Sequence, residues 1–277
     1  MFWFRTPYFL YPLLFKYLLS KILHYESSPV ISNWIYFLRL TKHTDILFDK
    51  ISADIVRITN RDFDHTVLVR IYSSDILVYI QIYYHGEYNS IKKLQFHNQP
   101  TIIDLGANVG FFSLWSVSIW NDAQILAIEP DPENFDQLNA QIQLNKLTNV
   151  KTANLAIWTK DQTVSLTRPE HSLNWSFKIS ENTQWNDTVE GLTLSSILAR
   201  FGLVKIQLLK MDIEGAEFNL FQTESFLKEL TNSVNHLIME THHPDEQREI
   251  ASQLRHIGFE IEIIRELILA RNNNFMT

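Results

Sequence analysis

From Thr101 onward, short apolar runs alternate with longer stretches of helical spacing, and no other feature of the chain constrains its fold so strongly. Thr101 to Leu105, Gln124 to Ile128, Val150 to Ile157, Gln207 to Met211, His236 to Glu240 and Phe259 to Ile264 read as strands. Val109 to Trp120, Pro132 to Asn145, Leu194 to Phe201 and Asp245 to Ile257 read as helices between them, and Leu267 to Ala270 as an antiparallel partner of the last strand. Apolar strands separated by helices imply an α/β fold with a mostly parallel sheet covered on both faces. In such sheets a ligand sits beyond the carboxyl ends of the strands, where the winding direction reverses.

The first hundred residues follow a different pattern. Phe9, Leu13, Leu14, Tyr17, Leu18 and Ile22 recur at helical spacing, and Ser32 to Leu40 reads as a second helix. Ile55 to Ile58, His65 to Ile71 and Ile76 to Ile82 look like strands, with Ser73-Ser74-Asp75 as a hairpin turn between the last two. Two regions are therefore expected: an N-terminal helical and β-strand extension, 1–98, and a ligand-binding domain, 99–277. The longest charge-free run near the start, Thr6 to Phe15, falls well short of the roughly 20 residues needed to span a bilayer. No small-residue cleavage site follows it, so a removable signal peptide is not expected. The expected location is cytoplasmic, with residues 1–23 as a contact to another subunit or to a membrane surface.

The 277 residues carry a net charge of −7. That balance leaves no basic excess to displace counterions from a phosphate backbone, so no nucleic-acid partner is expected. The absence of cysteine rules out disulfides, thiolate metal sites and a cysteine nucleophile.

Four strand ends carry the chemistry. The first is Asp104-Leu-Gly-Ala-Asn-Val-Gly110, where glycines allow a close approach to the main chain and the free N–H groups of a helix start can meet polar groups. Its spacing departs from the dinucleotide fingerprint and places a carboxylate where a diphosphate would be repelled. A nucleoside-type ligand carrying positive charge or N–H donors fits better. The second is Glu129-Pro130-Asp131, where Glu129 follows an apolar strand and can accept from two ribose hydroxyls. Asp131 suits a helix cap. The third is Lys210-Met-Asp-Ile-Glu-Gly-Ala-Glu217, in which alternation sends Lys210 and Asp212 to one face. A lysine and three acids this close require pairing or a ligand. The fourth is Glu240-Thr-His-His243, readable as a general base, a metal pair or loop residues. No third ligand lies in obvious register, so no metal is expected.

Together the Asp104 to Gly110 turn, Glu129-Pro-Asp-Pro132, Asn145 to Ala156 and Lys210 to Glu217 resemble the FkbM-type S-adenosylmethionine-dependent methyltransferases, over roughly residues 75 to 245. The resemblance implies a class I methyltransferase fold, Rossmann-like, with a seven-stranded sheet whose last strand is antiparallel. It also implies S-adenosyl-L-methionine as cofactor and methyl transfer to a hydroxyl of a sugar, glycan or secondary metabolite. Carried over by position, Asp104, Gly106 and Gly110 frame the cofactor's methionine end, Asn108 lines the same turn, and Glu129 holds the ribose. Ala156 flanks the adenine, and Asp212 faces the amino end or the acceptor. Candidate bases are His242, Asp212 and Glu214. The family commonly has Thr-Leu-Asp where this chain reads Thr193-Leu194-Ser195, a change without consequence if Ser195 takes over a capping role. Arg168 to Trp185, with Trp175, Phe177 and Trp185, is a candidate acceptor-side flap. The competing readings are a nicotinamide-dependent oxidoreductase, which the acidic turn disfavours, and a catalytically silent nucleoside-binding or scaffold module with the same fold.

Overall fold

The computed structural model describes residues 7–22, 28–61, 63–96, 98–167, 178–180 and 187–275. Its contacts divide into two units, Met1–Lys93 with Ala140–Lys146, and Leu94–Asn139 with Leu147–Thr277. The division falls five residues before the boundary at 98 expected from the sequence, and the first unit also claims a segment from the middle of the second half.

In the first unit, helix α1 (Tyr11–Ile22) precedes helix α2 (Pro29–Leu40), which starts with proline in its first turn and the Ser28 hydroxyl accepting from the Ile31 N–H. Strands β1 (Ile46–Lys50), β2 (Ile55–Asn60) and β3 (His65–Arg70) form an antiparallel sheet in that order. The strand expected at Ile76–Ile82 is instead helical: α3 (Asp75–Tyr79) runs on into a π-helical turn, Ile80–Tyr84. The reason lies at Asp75. The Ser73 hydroxyl accepts from its N–H at 3.1 Å, while its carboxylate accepts from the Arg70 N–H at 2.9 Å and from the guanidinium at 2.7 Å. Those bonds open a helix rather than a hairpin. Ile76, Tyr79, Ile80 and Tyr83 then bury one helical face. An aromatic core follows: Phe37 meets Tyr79 and Tyr84 edge-on, and the Trp34 indole donates to the Ile71 carbonyl at 2.8 Å.

The second unit holds the alternating elements: β4 (Thr101–Leu105), α4 (Phe111–Ile119), β5 (Gln124–Ile128), α5 (Pro132–Leu144), β6 (Val150–Ala153), β7 (Ala156–Ile157), β8 (Gln162–Thr167), β9 (Lys178–Ser180), β10 (Thr188–Leu192), α6 (Leu194–Phe201), β11 (Ile206–Met211), α7 (Glu217–Phe221), α8 (Glu224–Ser233), β12 (Val234–Glu240), α9 (Pro244–His256), β13 (Phe259–Ile264) and β14 (Leu267–Asn272). The last turns of α5 belong to the first unit. Seven strands form one sheet in the order β6-β5-β4-β11-β12-β14-β13, parallel except for β14, which runs against both of its neighbours. The single strand expected at Val150–Ile157 is two. After Ala153 the chain leaves the main sheet, and β7 pairs with β10 in a smaller sheet, β7-β10-β8-β9. The chain winds outward from β4 through β5 to β6 and then restarts at β11 on the other side of β4. The switch point therefore lies between β4 and β11.

Candidate active site

The turn after β4 is held by the strands beside it. The Gly106 and Ala107 N–H groups both donate to the Ile128 carbonyl, at 3.0 and 2.9 Å, Gly110 donates to Ala107, and Asn108 donates to the Glu129 carboxylate at 2.7 Å. Three of these amides, those of Gly106, Ala107 and Asn108, are committed to the end of β5 and to Glu129 just beyond it. Gly106 sits at φ +71°, and a Cβ there would lie 1.8 Å from the Asp212 carbonyl oxygen. Glycine is required because the neighbouring strand end presses on it. Asn108, at φ +50°, adopts the left-handed region that asparagine tolerates better than most residues.

Asp104 is engaged within the protein. It is fully buried, with Oδ2 accepting from the Ser113 hydroxyl at 2.7 Å and Oδ1 3.2 Å from the Lys210 ammonium. Lys210 is paired with Asp104 across the β4–β11 ladder, which places both side chains on one face. Its ammonium donates to the Gly106 carbonyl at 2.7 Å and lies 3.8 Å from Asp212. Burial works against the charged lysine, but Asp104 and Asp212 outweigh it and hold the ammonium above its ordinary range. Asp104 and Gly110, expected to frame the cofactor, do not line the cleft; Asp104 braces the turn from behind.

Glu129 is buried at the tip of β5, its two oxygens accepting from the Asn108 and Asp131 N–H groups at 2.7 and 2.9 Å. Burial pushes its carboxyl up to about 7 in spite of those bonds. Asp131 caps α5 as expected, accepting from the Asn134 N–H at 2.9 Å.

The segment after β11 is acidic and strained. Glu214 has φ +57°, costly for a residue with a Cβ, and Gly215 follows at +96°. Glu217 secures the bend, its oxygens accepting from the Ile213 and Gly215 N–H groups at 2.7 and 2.8 Å. Burial, with Asp212 and Glu217 nearby, pushes Glu214 up to about 8. From the end of β12, His242 brings Nε2 to 3.9 Å from the Glu214 carboxylate. Asp212, Glu217 and His242 place one ligand atom each within 4.8 Å of one another. This group contains only His242 of the two histidines read from the sequence as a metal pair, and Glu217 in it also secures the bend.

These elements border an open cleft at the switch point, about 560 Å³ with the adjoining solvent space included. Gly106, Asn108, Glu129, Ala156, Asp212 and Glu214, all proposed from the sequence, line it; His242 lies beside Glu214 without lining it. Sequence reasoning missed the apolar wall of Ile128, Leu155 and Ile213, and missed Asn134 in α5. The wall was hidden because strand ends with apolar tips look like ordinary core. The capping role considered for Ser195 belongs to Thr193, whose hydroxyl accepts from the Ser196 N–H at 3.2 Å; Ser195 donates to Glu229 at 2.6 Å. Of the candidate flap, Trp175, Phe177 and Trp185 lie outside the described residues.

The donor set suits a nucleoside that carries positive charge. One buried acid stands at the tip of β5, an apolar slot runs beside it, and an acidic cluster closes the other side, where Asp212 Oδ1 is buried with no hydrogen-bond partner. A seven-stranded sheet with β14 inserted antiparallel, and this cleft at its switch point, define a class I methyltransferase. Residues 104–275 match the Methyltransferase FkbM domain, and the chain belongs to that family, whose cofactor is S-adenosylmethionine.

Among curated relatives, Methyltransferase sdnD of Sordaria araneosa is 29% identical over 197 residues, covering 59% of this chain and 75% of the relative. Methyltransferase 1 of Beauveria bassiana is 24% identical over 147 residues, covering 46% of this chain and 59% of the relative. Among solved structures, methyltransferase FkbM from Methylobacillus flagellatus superimposes with a TM-score of 0.50 at 14% identity, covering 66% of this chain and 46% of that one. The N-terminal domain of human METTL16 gives the same score at 13% identity over 97% of this chain and 94% of that one. At such identities the structures establish the shared fold. The chain spans less than half of the FkbM structure and under two thirds of the second relative.

Proposed function

We propose that this protein is an O-methyltransferase that modifies a hydroxyl of a small molecule or glycan. The observation that carries the reading is the acid–base group at the cleft's edge: Asp212 and Glu214 in its lining, with His242 3.9 Å from Glu214. An alcohol is a poor nucleophile until its proton is taken, so an oxygen acceptor needs a base within reach.

Residue roles follow from the lining. Glu129 accepts from the ribose hydroxyls, Asn108 keeps that carboxylate oriented, and Gly106 forms the floor. Ala156, with Leu155 and Ile157, flanks the adenine. Asp212 offers its unpartnered oxygen to the cofactor's ammonium. When bound, S-adenosylmethionine supplies an electrophilic methyl group. The acceptor's proton is assigned to the His242 imidazole, since Glu214, pushed up to about 8, is largely protonated near neutrality.

Calorimetry with S-adenosylmethionine tests the binding half. Pure protein should bind it at sub-millimolar concentration, and Glu129→Ala should weaken binding more than about tenfold. Absence of binding favours a silent module of the same fold. For the chemistry, the purified enzyme is incubated with cofactor and a metabolite extract, and products heavier by one CH₂ are sought by mass spectrometry. Products methylated on nitrogen or carbon, or a His242→Ala enzyme with an unchanged rate, would remove the proposed base.

A further inference from the structure

We infer that α1 is a lipid-surface anchor that lies in the headgroup region of an anionic membrane. The helix is apolar on two sides. Leu13, Leu14 and Ser20 are buried, as is Leu10 in the 3₁₀ turn that leads into the helix. Tyr11, Phe15 and Leu18, on the other side, are 40%, 65% and 40% exposed, and Tyr8 in the preceding turn, at the same spacing, is 75% exposed. A buried inner face accounts for the helix; it does not account for a second apolar stripe containing aromatic side chains.

The described helix is too short to cross a bilayer. Twelve residues rise about 18 Å, short of a hydrocarbon core of roughly 30 Å, and no described helix is long and apolar enough to cross a membrane. An interfacial position fits, since Tyr sits well at the boundary of headgroups and acyl chains and Phe and Leu below it.

Charge identifies the occupant. Residues 1–25 contain Arg5, Lys16 and Lys21 and no aspartate or glutamate, although the whole chain stands at −7. Lys16 is exposed next to Phe15. A second copy docking through the same patch would bring together two segments of like charge with no acid to answer it. An anionic lipid surface instead offers acyl chains to the stripe and phosphates to Lys16, each cation near the surface strengthening binding about fivefold.

The test is co-sedimentation of the full chain with vesicles of phosphatidylcholine containing phosphatidylglycerol, against vesicles of pure phosphatidylcholine. Binding should require the anionic lipid, weaken as salt is raised, fall about fivefold in Lys16→Gln and disappear in Phe15→Glu. Both positions are exposed, so the variants should fold; unchanged thermal melting and S-adenosylmethionine affinity verify this. Failure to sediment with anionic vesicles overturns the proposal. So does undiminished binding by Phe15→Glu. A concentration-dependent dimer that Phe15→Glu dissolves, with no vesicle binding, assigns the stripe to a second copy instead.

Discussion

A carboxylate with no exposed surface is tolerable only if its charge is answered on the spot, and Asp104 is answered by Lys210 at 3.2 Å and by the Ser113 hydroxyl. The same ammonium donates to the Gly106 carbonyl, so one buried ion pair also fixes the turn. Lys210→Met should cost about 3 kcal/mol or more, because it strands a buried anion. The double variant Asp104→Asn with Lys210→Met should recover much of that loss, and urea denaturation of the three proteins decides it. Glu129 poses the opposite problem. Its folded value of about 7 lies above the ordinary 4.5, so the unfolded chain loses the proton first as pH rises. The group's stability contribution is present below about pH 4.5 and is lost as pH climbs through 7, a swing of about 3 kcal/mol at most. Glu129→Gln should remove that part of the pH dependence, seen by comparing denaturation midpoints below about pH 5 and above about pH 8. In the wild type, cofactor affinity should weaken as pH falls below about 7, since a protonated Glu129 accepts ribose hydroxyls poorly.

The β4 turn makes its own prediction at the level of elements. Gly106→Ala must hold a left-handed φ and clear the Asp212 carbonyl, so β4 and β11 have to part where the cleft forms. A stability loss of about 2 kcal/mol or more and a large drop in S-adenosylmethionine affinity are expected together, by denaturation and calorimetry. Gly215→Ala, with nothing within 4 Å of its would-be Cβ, should cost only the backbone strain. The turn also shows what a sequence can convey. Its glycines, the acid at Glu129 and the Lys210 to Glu217 cluster were legible because strand ends in a parallel sheet must share one rim. The partner of each group was not: that Asp104 would face Lys210 rather than a ligand depends on the ladder register between strands a hundred residues apart. Local ambiguity explains the rest. Ile76 to Ile82 is apolar at almost every position and satisfies both the strand and the helix period, so a single bond network at Asp75 decided it. Strand β1 was overlooked because a half-exposed edge ending in Asp and Lys lacks the alternation of a buried strand, and β10, an inner strand of the smaller sheet, because Glu190 and Gly191 interrupt a run of only five residues.

For the whole molecule, the telling residues are Gln141 and Asn145 at the end of α5. The Gln141 amide accepts from the Leu68 N–H at 2.9 Å and donates to the Leu68 carbonyl at 2.6 Å, completing the edge of β3 as another strand would. Asn145 does the same for Thr66, donating to its carbonyl at 2.8 Å. These side chains explain why 140–146 belongs with the first unit although the sequence places it inside the second. The cleft-lining residues all belong to the second unit. Stability and cofactor binding should therefore separate. Gln141→Ala leaves both polar groups of Leu68 without their partner, a loss of about 2 kcal/mol. Hydrogen exchange in the full chain should quicken across β3, while S-adenosylmethionine affinity stays within about twofold of wild type. Saturating cofactor should act in the converse place. At a hundredfold excess over its dissociation constant it adds about 2.7 kcal/mol, which should slow exchange in β4, β5 and β11. If cofactor protected β3 equally, or if Gln141→Ala abolished binding, α5 would have to be a coupling element, and the two units would unfold as one.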